Sequence, residues 1–269
     1  MKTTTLTHGD TGLDVVELQE LLNRAGIPVA TDGWFGERTA EAVRQAQRRF
    51  GLVVDGLAGR KTLTALRTGI DDPRHLREAD LIAAAERLGV SLASIKAVNQ
   101  VESNGTGFLP DGRPVLLLER HVLYRQLKAA GHDADALALR YPQLVGTQRG
   151  GYAGGTTEWH RYQNARHIDA ACAIEACSWG LFQIMGFHWQ GLGYASAQAF
   201  ADAMMTSEAQ QLAAFVGFIE AEPALHKALK AKKWAEFARL YNGPSYRDND
   251  YDVKLARAFE RFDTAAVPA

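Results

Sequence analysis

An apolar helical stripe runs through Ser91-Leu92-Ala93-Ser94-Ile95-Lys96-Ala97-Val98-Asn99-Gln100-Val101-Glu102, and it ends in a carboxylate. Because Ile95 and Val98 come seven and four positions before Glu102, helical periodicity places the carboxyl on their face. Burial and the negative end of the helix dipole both favour the protonated carboxyl. Such an acid suits general acid catalysis near neutral pH. The alternative is a glutamate that turns out to solvent past the last helical turn.

The length of 269 residues allows a substantial core and more than one domain. A formal net charge of −1 gives no bulk attraction to nucleic acid or to an anionic membrane. Residues 1–8 lack the apolar run of a signal peptide, and no stretch has the length of a membrane span. We therefore expect no nucleic-acid partner and no stable membrane insertion. We also expect a monomer.

Cys172 and Cys177 are the only cysteines, and both fall in a segment that we expect to be helical. Five positions apart, their side chains would point in different directions on a helix, so neither a mutual disulfide nor a metal clip is expected. We interpret both as small buried residues of a protein in a reducing compartment.

An internal repeat occupies the first seventy residues. The segment Asp32-Gly33-Trp34-Phe35-Gly36-Glu37-Arg38-Thr39 is echoed by Asp55-Gly56-Leu57-Ala58-Gly59-Arg60-Lys61-Thr62. Asp-Gly supplies a turn in each copy, and a helical pattern follows it. An earlier amphipathic helix ends at Gly26 and Pro28. The pattern predicts a compact three-helix domain.

This region resembles the peptidoglycan-binding domain found at one end of many cell-wall hydrolases. The similarity covers about residues 8 to 68, including Leu18-Gln19, Asp32-Gly33-x-Phe35-Gly36-x-x-Thr39, Gln47 and Val54-Asp55-Gly56. The resemblance implies that the domain holds cell-wall peptide or glycan. Asp32, Trp34 and Phe35 are the candidates for the binding surface, although each also fits turn chemistry or packing. We predict this domain over residues 1–69, a linker over 70–77 and a second domain over 78–269.

A second carboxylate candidate follows the predicted strand signal between Gly107 and Glu119. The Asp111-Gly112 turn, flanked by apolar residues, predicts a small β-hairpin. Glu119 closes it and is the candidate partner of Glu102 in a glycosidase pair. Pairing with Arg120, or capping of the next helix, is the alternative.

Polar residues in the second half have both structural and functional interpretations. Glu158 lies in a first helical turn, where the dipole favours its charge without any catalytic purpose. His160 and His167 lack a third ligand at suitable spacing, so no metal site is expected. Gln183 offers a donor and an acceptor to an acetamido sugar, while a hydrogen-bonded core amide is its alternative. Tyr241-Asn242-Gly243-Pro244 ends a helix in a polar-aromatic turn.

Taken together, the segments Val98-x-x-Val101-Glu102-Ser103, Ser178-x-Gly180-Leu181-Phe182-Gln183-Ile184-Met185 and Tyr241-Asn242-Gly243 look like the lysozyme-like superfamily. More closely, residues 78 to 262, with Gly112-Arg113-Pro114 and Leu118-Glu119-Arg120-His121, resemble the N-acetylmuramidase domain of modular phage endolysins. The resemblance implies a mainly α protein, with a three-helix wall-binding domain and an α-rich lysozyme-like domain that carries a small β-hairpin. It maps the catalytic glutamate onto Glu102 and gives no equally secure role for Glu119.

The resemblance implies hydrolysis of the β-1,4 bond between N-acetylmuramic acid and N-acetylglucosamine, and thereby bacterial lysis. Glu102 would be the general acid, and Ser178, Gln183, Tyr241 and Asn242 would orient sugar or water. A separation from Glu119 of roughly 5 Å would indicate retention, and a wider gap inversion. A lytic transglycosylase using Glu102 and a non-catalytic wall-binding protein are the alternatives. We expect no cofactor or metal, and a protein that waits in the host cytoplasm until it reaches periplasmic peptidoglycan.

Overall fold

The computed structural model describes residues 5–103, 105–243, 247 and 249–264. Contacts within the chain divide it into two compact units, the first formed by residues 1–101 with 250–269 and the second by residues 102–249. The predicted domain limits at residues 69 and 78 stay a prediction. Asn104 and Pro244, which neighbour or belong to the motifs above, lie outside the described residues.

The first unit begins with the predicted three-helix domain. Its helices are α1 (Leu13–Arg24), α2 (Glu37–Arg49) and α3 (Arg60–Thr68). Apolar side chains of all three pack into one core, among them Val15, Leu18, Leu22, Val43 and Leu63. Gly26 ends the turn after α1 at a positive φ of 76°, which glycine adopts without steric cost.

Each copy of the internal repeat has its own buried glutamine, and the two glutamines make matching hydrogen bonds. Gln19 Nε2 donates to Asp32 Oδ1 at 2.8 Å and to Thr39 Oγ1 at 3.2 Å. Gln47 Nε2 donates to Asp55 Oδ1 at 2.7 Å and, at 3.2 Å, to Oγ1 of the matching threonine, Thr62. Both amides are buried, so each copy satisfies its polar interior in the same way.

Three further helices complete the first unit. They are α4 (Glu78–Leu88), α5 (Leu92–Glu102, whose last residue belongs to the second unit) and the C-terminal helix α14 (Tyr251–Thr264). Gly89 ends α4 at a φ of 63°. Ala93 and Ala97 of α5 form a small apolar cluster with Ala258 and Phe262 of α14.

The second unit is built from eight α-helices, a short 3-10 helix (Gly186–His188) and a small sheet within its described residues. The helices are α6 (Arg120–Ala129), α7 (Ala134–Arg140), α8 (Thr157–Arg166), α9 (Ala170–Glu175), α10 (Ala197–Thr206), α11 (Glu208–Ala221), α12 (Pro223–Lys230) and α13 (Trp234–Asn242). The strands are β1 (Leu116–Leu118), β2 (Cys177–Trp179) and β3 (Ile184–Met185). They form an antiparallel sheet in the order β1-β2-β3, with Leu117 opposite Ser178 and Ser178 opposite Met185.

The predicted β-excursion forms, but its strand pairs elsewhere. Leu109 N–H donates to the Arg113 carbonyl at 2.7 Å, which closes the expected Asp-Gly turn. β1 then pairs with β2, some sixty residues further along the chain, and not within a local hairpin. The prediction of a helical segment around both cysteines is wrong for Cys177, which lies in β2, while Cys172 lies in α9. Both are buried free thiols. Three-residue strands carry too little periodicity to be separated from an apolar helix segment.

The predicted mainly α fold class is confirmed, with fourteen α-helices and one three-stranded sheet among the described residues. No helix in that part of the chain has the length and apolar character that crossing a membrane requires.

Candidate active site

Glu102 is the last residue of α5, and its side chain is partly buried. Ile95 and Val98, on the same helical face, are buried as predicted. Burial raises the pKa of the Glu102 carboxyl from 4.5 to about 7, against a smaller lowering by a hydrogen bond from Asn242. Desolvation disfavours the charged form of a carboxyl, which is the expected sign for a buried acid.

Asn242, at the end of α13, contacts Glu102 directly. Its Nδ2 donates to Glu102 Oε1 at 3.0 Å and to Oε2 at 3.3 Å. The neighbouring Tyr241 donates from its hydroxyl to the Phe182 carbonyl at 2.9 Å. The pair Tyr241-Asn242 therefore connects Glu102 with the segment that follows β2. Asn242 contacts the acid, and Tyr241 contacts Phe182.

Ser178 and Gln183 are hydrogen-bonded to each other. Ser178 Oγ donates to Gln183 Oε1 at 2.7 Å, and Gln183 Nε2 donates to the Gly180 carbonyl at 2.8 Å. Gln183 has a positive φ of 52°, which is uncommon for a residue other than glycine and is concentrated at functional sites. Each amide atom keeps capacity for one more hydrogen bond. Their role in substrate binding stays a prediction.

Glu119 follows β1 directly, at the start of α6. Its carboxylate accepts from the Tyr152 hydroxyl at 2.9 Å, and its Oε2 lies 3.1 Å from His121 Nδ1. Arg120, the partner considered from the sequence, instead donates to the Gln148 carbonyl at 2.7 Å. The carboxylate does not cap α6 by a hydrogen bond either. Glu119 is thus held by an exposed tyrosine and a histidine, at the edge of the sheet that also carries Ser178.

Glu158 anchors the loop that brings Tyr152 to Glu119. The Glu158 carboxylate is fully buried and accepts from the backbone N–H groups of Ala153 at 2.6 Å and Leu118 at 3.1 Å. Desolvation works to raise its pKa, but the backbone N–H donors and Arg161 outweigh it and hold the pKa below its ordinary value. Glu158, which we predicted to be a charge in a first helical turn, is therefore a buried carboxylate that connects this loop to β1.

Glu208 and Gln211, both on α11 and both buried, were missed by sequence reasoning. Glu208 accepts from Gly107 N–H at 2.8 Å. Gln211 Oε1 accepts from Leu181 N–H at 2.7 Å, and Nε2 donates to the Met204 carbonyl at 2.8 Å. They tie the segment after α5 to the turn that carries Gln183. The available signal was two polar residues spaced three apart on an apolar helix.

The three wall-binding candidates of the first domain differ in their surroundings. Phe35 is 0% exposed and packs in the core, so its place on the predicted binding surface is wrong, and the packing alternative describes it. Asp32 accepts from Gln19 and from Trp34 N–H at 3.0 Å, which is turn chemistry at an exposed position. Trp34 is 55% exposed.

Among the residues described, no group of three or more histidine, cysteine, aspartate or glutamate side chains has the arrangement that could hold a metal ion. His160 lies on the exposed surface of α8, and His167 is the exposed residue after it.

A family model described as N-acetylmuramidase matches residues 91–263. The chain belongs to this N-acetylmuramidase family. A model described as putative peptidoglycan binding domain matches residues 11–66. The predicted resemblance is confirmed for both parts of the chain. Membership in this family supports a glycoside hydrolase that acts on peptidoglycan.

A solved structure, that of the endolysin from Burkholderia AP3 phage, superposes with a TM-score of 0.93 and 56% sequence identity. The match covers 97% of this chain and 100% of that one. A spore cortex-lytic enzyme of Bacillus cereus is 50% identical over 56 residues, 20% of this chain and 22% of the relative. The spore cortex-lytic enzyme of Halalkalibacterium halodurans is 53% identical over 53 residues, 19% and 16% of the two chains. The chain thus spans about a fifth of the length of these curated relatives.

Proposed function

We propose that this protein is a lytic peptidoglycan hydrolase that cleaves the β-1,4 bond between N-acetylmuramic acid and N-acetylglucosamine. In this proposal Glu102 is the general acid. The observation that carries it is a partly buried carboxyl with a pKa near 7, placed against Asn242 in a chain of this family.

The protonation state of Glu102 near neutral pH suits the reaction. With a pKa of about 7, about half of the carboxyls are protonated at pH 7 and about nine-tenths at pH 6. The protonated carboxyl donates to the leaving glycosidic oxygen as positive charge builds on the muramyl ring. The Asn242 amide then donates to the carboxylate that remains. General acid catalysis contributes about a hundred- to ten-thousandfold to the rate.

Glu119 is the proposed second carboxylate. It directly follows β1, whose Leu117 pairs with Ser178 of β2, and the Tyr152 hydroxyl and His121 fix its orientation. In a glycosidase the second carboxylate either attacks the sugar carbon or activates a water. Ser178, Gln183, Tyr241 and Asn242 complete the proposed site, in which they orient sugar or water.

Digestion of purified sacculi tests the proposal. The wild-type protein is expected to release soluble muropeptides that end in a reducing muramic acid, as mass spectrometry would show. The Glu102→Gln variant keeps the shape and loses the proton, so release should fall by at least about a hundredfold. Near wild-type release from this variant would remove Glu102 from the acid role. Anhydromuramic ends would make the enzyme a lytic transglycosylase, and binding to sacculi without any release would make it a wall-binding protein.

The remaining parts of the proposal concern where and how the protein acts. The domain that matches the peptidoglycan-binding model holds the wall and keeps the catalytic unit at its substrate. The protein acts as a monomer, accumulates in the host cytoplasm and reaches the periplasmic wall once the inner membrane opens. The likeness to a phage endolysin supports this order of events.

A further inference from the structure

The two turns of the internal repeat are built alike, but their outer faces differ. In each turn an aspartate accepts from the repeat glutamine, and the N–H two residues later donates to that aspartate, from Trp34 at 3.0 Å and from Leu57 at 2.8 Å. The residue before the aspartate is Thr31 in the first turn and Val54 in the second. These two residues therefore occupy equivalent backbone positions.

In the second turn, the main chain of Val54 binds two charged side chains, a carboxylate and an ammonium. Val54 N–H donates to Glu78 Oε2 at 2.8 Å, and Lys96 Nζ donates to the Val54 carbonyl at 2.7 Å. Lys96 Nζ and Glu78 Oε1 lie 2.5 Å apart. The main chain of Val54 thus binds a carboxylate and an ammonium that contact each other. Burial raises the pKa of the neighbouring Asp55, and electrostatic attraction to Lys96 partly opposes that rise.

The first turn presents the same groups to solvent. Thr31, Asp32 and Trp34 are all exposed, and within the described part of the chain no hydrogen bond engages the main-chain N–H or C=O of Thr31. The Trp34 N–H and then the Gln19 amide hold the pKa of Asp32 below its ordinary value, so this carboxyl stays ionised. Trp34 stands where the second turn has Leu57, and it offers an open aromatic surface.

We propose that the first turn binds the amino-acid head group of an uncrosslinked wall peptide, an ammonium and a carboxylate borne on one carbon. The carboxylate accepts from Thr31 N–H, as Glu78 does at Val54. The ammonium donates to the Thr31 carbonyl and faces the Asp32 carboxylate, as Lys96 does in the second turn. Trp34 packs against the hydrocarbon of the ligand. This assignment rests on the proposed function, which makes peptidoglycan the substrate.

A pair of peptides that differ by one carboxylate tests the recognition. The probe is N-acetyl-L-alanyl-γ-D-glutamyl-meso-diaminopimelate, which ends in a free amino-acid head group. The first comparison replaces diaminopimelate by lysine and so removes only the carboxylate beside the amine. The second acetylates that amine. Each would be titrated into the full chain carrying Glu102→Gln, with NMR of the Thr31 and Asp32 amides as the readout.

We expect the diaminopimelate peptide to bind about tenfold tighter than either comparison, since each lacks one charge-assisted hydrogen bond. Asp32→Asn keeps the oxygen that Gln19 and Trp34 N–H use but removes the charge, and it should weaken binding by about tenfold. Asp14→Asn, the same change at an exposed position of α1, is the matched control and should leave binding as it was.

Equal affinity for the three peptides, or unchanged binding after Asp32→Asn, would overturn the assignment. The peptide series uses the unaltered turn, so it decides the matter even if a variant folds poorly. Digestion of sacculi by the wild-type protein separates the two proposals. Released muropeptides with no discrimination among the peptides would reject only the head-group site, whereas discrimination without release would reject only the hydrolase.

Discussion

The Glu102→Gln variant should be more stable than the wild-type protein at neutral pH, although it loses activity. The difference in unfolding free energy between the two proteins should grow as the pH rises. In the unfolded chain Glu102 ionises above its ordinary pKa of 4.5, but in the folded protein it ionises only above about 7. The folded protein therefore binds more protons between these values, and its stability falls as the pH rises through this window. The Glu102→Gln variant has no ionisable group at this position, so its unfolding free energy does not fall in this way.

The size of the effect follows from the pKa change. At about 1.4 kcal/mol per pH unit, the shift from 4.5 to about 7 corresponds to about 3 kcal/mol. Relative to wild type, the Glu102→Gln variant should gain about 3 kcal/mol of unfolding free energy between pH 4.5 and pH 8. Protonated glutamic acid and glutamine are both neutral and similar in size, so the two proteins should nearly coincide at pH 4.5.

Urea unfolding followed by tryptophan fluorescence measures this difference. Four of the five tryptophans, Trp159, Trp179, Trp189 and Trp234, belong to the second unit with Glu102, so the signal reports mainly on that unit. Glu20→Gln, at an exposed position of α1, controls for the loss of a carboxylate. If the gap between Glu102→Gln and wild type stays constant from pH 4.5 to pH 8, burial does not hold this carboxyl protonated, and the reasoning fails.

Three other predictions concern the surroundings of the acid and the place of action. Asn242→Ala removes the donor to the carboxylate, so the basic limb of the pH–rate profile on sacculi should move up by about one pH unit; a limb that stays in place would show that Asn242 does not stabilise the anion. Gln211→Leu leaves Leu181 N–H and the Met204 carbonyl without their partner, and should cost about 1–3 kcal/mol for each group in urea unfolding. The control Gln210→Leu, at the exposed neighbouring position, should lower the unfolding free energy far less. Equal losses in the two variants would show that the hydrogen bonds of Gln211 do not stabilise the fold. Cells that express the protein should keep their turbidity until chloroform opens the inner membrane, and lysis before that treatment would contradict accumulation in the cytoplasm.

The sequence was sufficient to predict features that depend only on residues close together in the chain. The spacing of Ile95, Val98 and Glu102 predicted a carboxyl on a buried helical face, and the structure has it there. The repeated Asp-Gly turns predicted the three-helix domain because turn chemistry and helix periodicity both act over a few residues. The site motifs came from resemblance, since no local rule brings Tyr241-Asn242 to Glu102.

Other features required contacts between distant parts of the chain. Phe35 and Trp34 are adjacent aromatic residues in one turn, and only the packed core shows that the first is buried and the second exposed. The pairing of β1 with β2, and the loop anchor at Glu158, join segments forty or more residues apart. Nothing in a short window of sequence encodes such a pairing.

The sequence by itself determined the helices, the repeat, and the helix end that carries an acid, because backbone propensity and periodicity are local properties. The tertiary structure decided that this acid meets an amide 140 positions away, and that Glu119 is held by Tyr152 and His121 and not by Arg120. The pKa of a carboxyl depends on how much water and which donors surround it, and only the folded chain sets both.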